Sequence, residues 1–198
     1  MKTKIGVMGS SQGPAISQKE NQKKAFKVGK EIAKQDCILV TGACYGLPHD
    51  AAIGTKSKNG FVLGVSPAFS LESHIKRYKS PDDEFYDVMI FTGMGLMERD
   101  IVNIRTSDAV IIIGGGIGTL NEFTVAFDEG RFIGVLTETD GISDHIPDIV
   151  KKCHRELDDR VIFDNNPERL VKKVIKKLAS GERMIVEDQR VVGVDFVF

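Results

Sequence analysis

The chain alternates short, uninterrupted apolar runs with longer stretches whose apolar residues recur every three or four positions. The runs read as strands buried on both faces, because Val, Ile and Leu follow one another with little polar alternation. They are Lys4–Met8, Cys37–Thr41, Phe61–Ser66, Tyr86–Thr92, Ala109–Ile113, Arg131–Leu136 and a short Val161–Phe163. Between them the helical period predicts helices at about 18–35, from Pro48 to about Lys58, and at about 96–106, 118–129, 144–157 and 167–179. The last of these opens with Pro167 after Asn165-Asn166, a helix-start signal. Phe69–Tyr78 reads as a short helix or a loop.

Strand–helix alternation of this kind predicts the α/β class: a Rossmann-like, doubly wound parallel sheet with helices on both faces. The tail, 183–198, breaks the pattern. Met184–Glu187 and Val191–Phe196 flank Asp188-Gln189 and predict a C-terminal β-hairpin, finishing the sheet edge or meeting a partner chain. No repeat, low-complexity tract or interior linker interrupts the chain, so one domain over 1–198 is expected.

In an open parallel sheet, ligands bind beyond the carboxyl ends of the strands. Four glycine-bearing loops fall at such ends: Gly9-Ser10-Ser11, Gly42 to Gly46, Gly93-Met94-Gly95, and Gly114-Gly115-Gly116-Ile117-Gly118-Thr119. The last follows the most apolar run and precedes a helix. Glycines let the backbone approach closely, and free N–H groups at a helix N-terminus point at an anion, so this loop is suited to phosphate. Glu122 lies four residues past Gly118, on the same helix face. Neither GxGxxG nor GxxxxGK[ST] occurs, which disfavours dinucleotide dehydrogenases and P-loop NTPases.

Composition narrows the partners. The 198 residues carry a net charge of −1, which argues against a basic nucleic-acid surface. Lysines do cluster, at 19, 23, 24, 27, 30 and 34 and again at 172, 173, 176 and 177, and a solvated helix face is the expected reading of both. Cys37, Cys44 and Cys153 are odd in number and widely spaced, as in a reduced cytosolic protein. No cysteine or histidine pair has metal-ligand spacing, so no metal is expected, and no resident cofactor. The chain runs straight into a strand without a signal peptide, and no apolar run reaches membrane length. The expectation is a cytoplasmic protein with no membrane partner.

Ser107-Asp108-Ala109, the apolar strand and GGGIGTLNE together resemble the LOG ("Lonely Guy") family, whose members are often labelled "possible lysine decarboxylase". Its hallmark is PGGxGTxxE preceded by an MxxRK-like element. Counted back from Ser-Asp-Ala, the motif arginine falls on Arg99, within Met97-Glu98-Arg99-Asp100, and the motif glutamate on Glu122. Val7 to Ser11, Val40-Thr41-Gly42 with Gly46-Leu47, and Gly60 to Pro67 resemble the family's first two loops and third strand. The resemblance covers about 4–180. It implies a Rossmann-like fold, usually homodimeric, and cleavage of nucleoside 5′-monophosphates at the N-glycosidic bond. It makes Arg99 and Glu122 the catalytic pair and gives phosphate to Gly115, Gly116, Gly118 and Thr119. The wider superfamily also holds binders that cleave nothing, including molybdenum-cofactor carriers and DNA-processing proteins, so a carrier or sensor is the alternative.

The chain departs from the family pattern in three places. Gly114 replaces proline, and Gly46-Leu47-Pro48-His49-Asp50 replaces Gly-Leu-Met-Gly. Asp100 replaces the motif lysine, a swing of two charges. At roughly 6 Å and an effective dielectric near 20, each unit is worth about 3 kcal/mol against a phosphate charge. Either this position does not touch phosphate or the ligand differs from the usual one. Glu122 could stabilise an oxocarbenium-like state, activate water or hold ribose hydroxyls. Arg99 could clamp phosphate or pair with Glu122. Decarboxylation of lysine is rejected: it requires a Schiff-base lysine, and none of the four loops holds a lysine.

Overall fold

The computed structural model describes residues 1–82 and 84–180. Seven strands form one parallel sheet in the order β4-β3-β2-β1-β5-β6-β7. They are β1 (Lys4–Gly9), β2 (Ile38–Thr41), β3 (Phe61–Ser66), β4 (Val88–Phe91), β5 (Ala109–Ile113), β6 (Phe132–Leu136) and β7 (Val161–Asp164). The helices are α1 (Lys19–Lys34), α2 (Leu47–Lys56), α3 (Leu71–Lys76), α4 (Leu96–Thr106), α5 (Ile117–Asp128), α6 (Ile146–Lys152) and α7 (Pro167–Ala179). The doubly wound architecture expected from the alternation is therefore present. Every residue of β5 and β6 is buried, as continuous apolar runs require.

Two cores lie on opposite faces of the sheet. Ala25, Val28 and Ile32 of α1, Ala51 and Ala52 of α2, and Leu170, Val171 and Val174 of α7 pack on one side with Ile5, Val7 and Ile111. Ile104 of α4, Phe123 and Ala126 of α5, and Ile146 and Val150 of α6 pack on the other with Met8, Val110 and Ile112. The odd and even residues of β1 and β5 thus serve different cores, which fixes their register. It aligns Gly9 with Ile113, so the loops after β1 and β5 leave the sheet side by side.

Several boundaries differ from the periodicity. The helix expected over 144–157 is only Ile146–Lys152, because Gly141–Asp144 forms a 3₁₀ turn before it and His154 adopts a left-handed conformation (φ 55°) after it. The ambiguous segment 69–78 contains α3, started by Ser70, whose hydroxyl accepts from the Ser73 amide. The strand expected from Tyr86 begins at Val88. The expected hairpin at 183–198 lies outside the described residues.

Candidate functional site

Strand order reverses between β1 and β5, and the crevice of an open α/β sheet opens at such a switch. A cavity of about 380 Å³ lies there. Its walls come from four strand ends: Gly9, Ser10 and Ser11 at the end of β1, Gly42 and Cys44 after β2, Arg99 and Asp100 on α4, and Gly116, Gly118, Thr119 and Glu122 at the cap and first turns of α5. Residues separated by more than a hundred positions thus meet in one place. Gly46, Gly93, Met94, Gly114 and Gly115 do not line it. The Gly93 loop turns instead onto Ala68, whose carbonyl accepts from the Gly93 amide at 2.9 Å.

The glycine loop divides into two halves. Gly114 gives its N–H to Thr139 Oγ1 (2.9 Å), and Gly115 gives its N–H to Ser10 Oγ (2.6 Å). Their carbonyls accept from Ser143 and Ile142. These two glycines are consumed in tying the loop to its neighbours. Gly115 also sits at φ 101°, where Thr119 leaves no room for a Cβ. The second half faces the cavity. Gly116 caps α5 without a side-chain hydrogen bond, so the first-turn amides keep the free donor capacity of a helix N-terminus. A Cβ at Gly116 or Gly118 would meet nothing within 4 Å, so the space beside them is open.

Arg99 and Asp100 of α4 and Glu122 in the second turn of α5 are 5%, 5% and 8% exposed. The Arg99 guanidinium lies directly against Gly42, with Nη1 and Cζ where a Cβ would be. Arg99 Nη1 is 3.6 Å from Asp100 Oδ1, and Asn121 Nδ2 donates to Asp100 Oδ2 at 3.1 Å. Arg99 Nε is buried and has no partner among the described residues. Burial, then repulsion from Asp100, pushes the Glu122 carboxyl up to about 8, against a smaller opposing pull from Arg99. Burial also raises Asp100, with Arg99 and Asn121 acting against it. Cys44 is pushed up to about 11 by burial, so its thiol stays protonated and is a poor nucleophile. The site therefore offers a helix N-terminus for an anion, one arginine beside an aspartate, and one carboxyl that keeps its proton at neutral pH.

A model of the SLOG cluster4 family matches residues 2–171. The chain belongs to that family. The family expectation drawn from GGGIGTLNE is thereby borne out at the level of a LOG-like protein. A relative from Archaeoglobus fulgidus, described as an uncharacterized protein, is 33% identical over 132 residues, 67% of this chain and 78% of its own length. The molybdenum cofactor binding protein from the phototrophic bacterium Rippkaea orientalis is similar with a TM-score of 0.73 at 26% identity, over 90% of this chain and 98% of that one. The molybdenum cofactor carrier protein of Chlamydomonas reinhardtii is similar with a TM-score of 0.69 at 26% identity, over 90% and 99%.

This SLOG cluster4 chain also uses residues that sequence reasoning passed over. Thr139 accepts from Gly114, donates to Leu136 O at 2.7 Å and meets Ser143 Oγ at 3.0 Å. It lies 20 residues past Thr119, in the loop after β6, and its only sequence signal is the Asp140-Gly141 turn beside it. Asn121 and Cys44 sat inside recognised motifs, but spacing gave neither a role. Ser10 has the reverse outcome: a candidate ligand group, it is the acceptor that holds Gly115.

Proposed function

We propose that this protein binds a nucleoside 5′-monophosphate and hydrolyses its N-glycosidic bond, releasing the base and ribose 5-phosphate. The observation that carries the reading is the placement of a proton-bearing Glu122 and Arg99 in one cavity with the uncapped N-terminus of α5. The phosphate sits on the Gly116–Thr119 amides. Glu122, neutral near pH 7, donates its proton to the departing base as the C1′–N bond breaks. Water adds to C1′, and the proton it loses restores Glu122. General acid was not among the three roles open from sequence, and it is the role a carboxyl with a raised pKa fits best. Arg99, held by Gly42 and Asp100, stabilises the carboxylate that Glu122 becomes once its proton has passed to the base.

The second reading is a carrier that binds a nucleotide-like cofactor and cleaves nothing. Two observations favour it: Asp100 spends part of the Arg99 charge before any ligand arrives, and two similar structures are molybdenum cofactor binding or carrier proteins. Incubation with AMP, GMP, CMP and UMP, with free base measured by chromatography, separates the two. Base release supports hydrolysis; intact nucleotide in a saturable complex supports the carrier.

A homodimer is part of the proposal. Leu96 and Met97 line the cavity yet are exposed, and Phe69 in the loop before α3, Ile75 of α3, Ile90 of β4 and Ile101 of α4 are exposed as well. An exposed apolar set of this size is what a homodimer would bury. Light scattering coupled to size exclusion measures the mass, and a monomer at micromolar concentration rejects the dimer.

A further inference from the structure

The net charge of −1 hides a strong segregation. Helix α1 carries six lysines and two glutamates, and α7 carries five basic residues and one glutamate. That is a net of +8 on two helices, leaving −9 for the rest of the chain. The two helices are far apart in sequence but pack side by side on one face of the sheet. Lys172 of α7 reaches Glu31 of α1 at 3.7 Å, and Lys34 shares that carboxylate at 3.4 Å. Lys173 and Lys177 are spent on Asp164 and Asp159. Lys19, Lys23, Lys27, Lys30 and Lys176 make no ion pair among the described residues.

Four of these five follow α1 at three- and four-residue steps, one row of ammonium groups along a helix about 24 Å long. With Lys34 and the half-buried Phe26 they line a groove. Glu31, Asp50 and Glu168 also line it, so basic groups exceed acidic ones by two there and the excess continues onto α7. No large apolar side chain of α1 or α7 is exposed among the described residues. A protein interface needs an apolar centre, and stable membrane docking needs an apolar anchor beside the charge. Beyond the single half-buried Phe26, this face has neither. A regular row of lysines with one aromatic between them is matched by a flexible polyanion bearing bases, held by counterion release and stacking.

We infer that the α1–α7 face binds single-stranded nucleic acid, without sequence preference, independently of the cavity at the switch point. The negative remainder of the chain does not prevent this, because charges beyond about 8–10 Å are screened at physiological salt.

The test is fluorescence anisotropy of a labelled 20-mer of deoxythymidine with the full chain at 50 mM salt. Saturable binding is expected. With five lysines on phosphates, raising salt to 200 mM should weaken it on the order of 100-fold. The triple variant Lys23→Glu/Lys27→Glu/Lys30→Glu should lose at least 10-fold, while Lys151→Glu/Lys152→Glu on the opposite face should bind as wild type. Thermal melting of each variant shows that the fold is retained, since all five positions are at the surface. No saturable binding at 50 mM salt, or binding untouched by the triple reversal, overturns the inference. So does tighter binding to a duplex of the same length, or binding to phosphatidylserine vesicles without binding to the strand.

Discussion

The guanidinium of Arg99 occupies the space that a side chain on residue 42 would fill. Gly42 follows β2 and Arg99 opens α4, two elements brought together only by the sheet. The glycine is there to make room for an arginine 57 positions away, and the arginine is thereby aimed into the cavity rather than into solvent.

Gly42→Ala tests that relationship. The methyl group collides with the end of a long side chain, which can swing aside, so stability should change by less than about 1 kcal/mol. Arg99 would leave its position, and base release should fall on the order of 100-fold, the cost of losing one preorganised charge-stabilising group. Melting and turnover measured on the same preparation check it; a variant with full turnover separates Gly42 from the site.

Glu122→Gln should abolish turnover by at least about 100-fold while keeping phosphate affinity. It should also change stability in a pH-dependent way. The carboxyl is raised from 4.5 to about 8 by folding. The folded state therefore holds the proton more tightly, and the wild-type protein loses stability as pH rises from about 5 through 8. Glutamine cannot ionise, so the variant should become the more stable of the two by pH 8, and denaturant titrations at pH 5 and pH 8 read the difference.

Asp100→Asn removes the charge that repels an ionised Glu122. The Glu122 carboxyl should then ionise at lower pH, and the alkaline limb of the turnover profile should move toward acid. Arg99 is also released from its 3.6 Å neighbour, so nucleotide affinity should rise. An unmoved alkaline limb assigns that limb to a group other than Glu122.

Ser10→Ala leaves the Gly115 amide buried without an acceptor. That should cost about 1–3 kcal/mol, read by urea denaturation, and should loosen the loop enough to weaken nucleotide binding. Thr139→Val, which strips the acceptor from Gly114, should behave alike. A neutral result at both positions would mean that water or a backbone shift replaces these bonds.

Much of the architecture was legible because parallel strands buried on both faces have a local signature. Ala109–Ile113 could be little else, and the glycines after it marked the edge where ligands bind. Boundaries failed where backbone conformation at single residues decided them, as at His154, whose left-handed turn no periodicity reveals. Within the site, Arg99 and Glu122 were legible through a motif, whereas Thr139 was not: a lone hydroxyl in a loop has no pattern until its partner is known.

The sequence by itself determined the alternation of strands and helices, the glycine-to-helix junction at Gly114–Thr119 and the presence of an acid four residues on. Those are short-range properties, set by side-chain period and backbone freedom. The tertiary structure alone decided that Gly114 and Gly115 brace the loop while Gly116 to Thr119 face the cavity, that Asp100 holds Arg99, and that two lysine-rich helices form one face. Each depends on strand order, which places distant segments a few ångströms apart, where burial and charge act on pairs that no local pattern links.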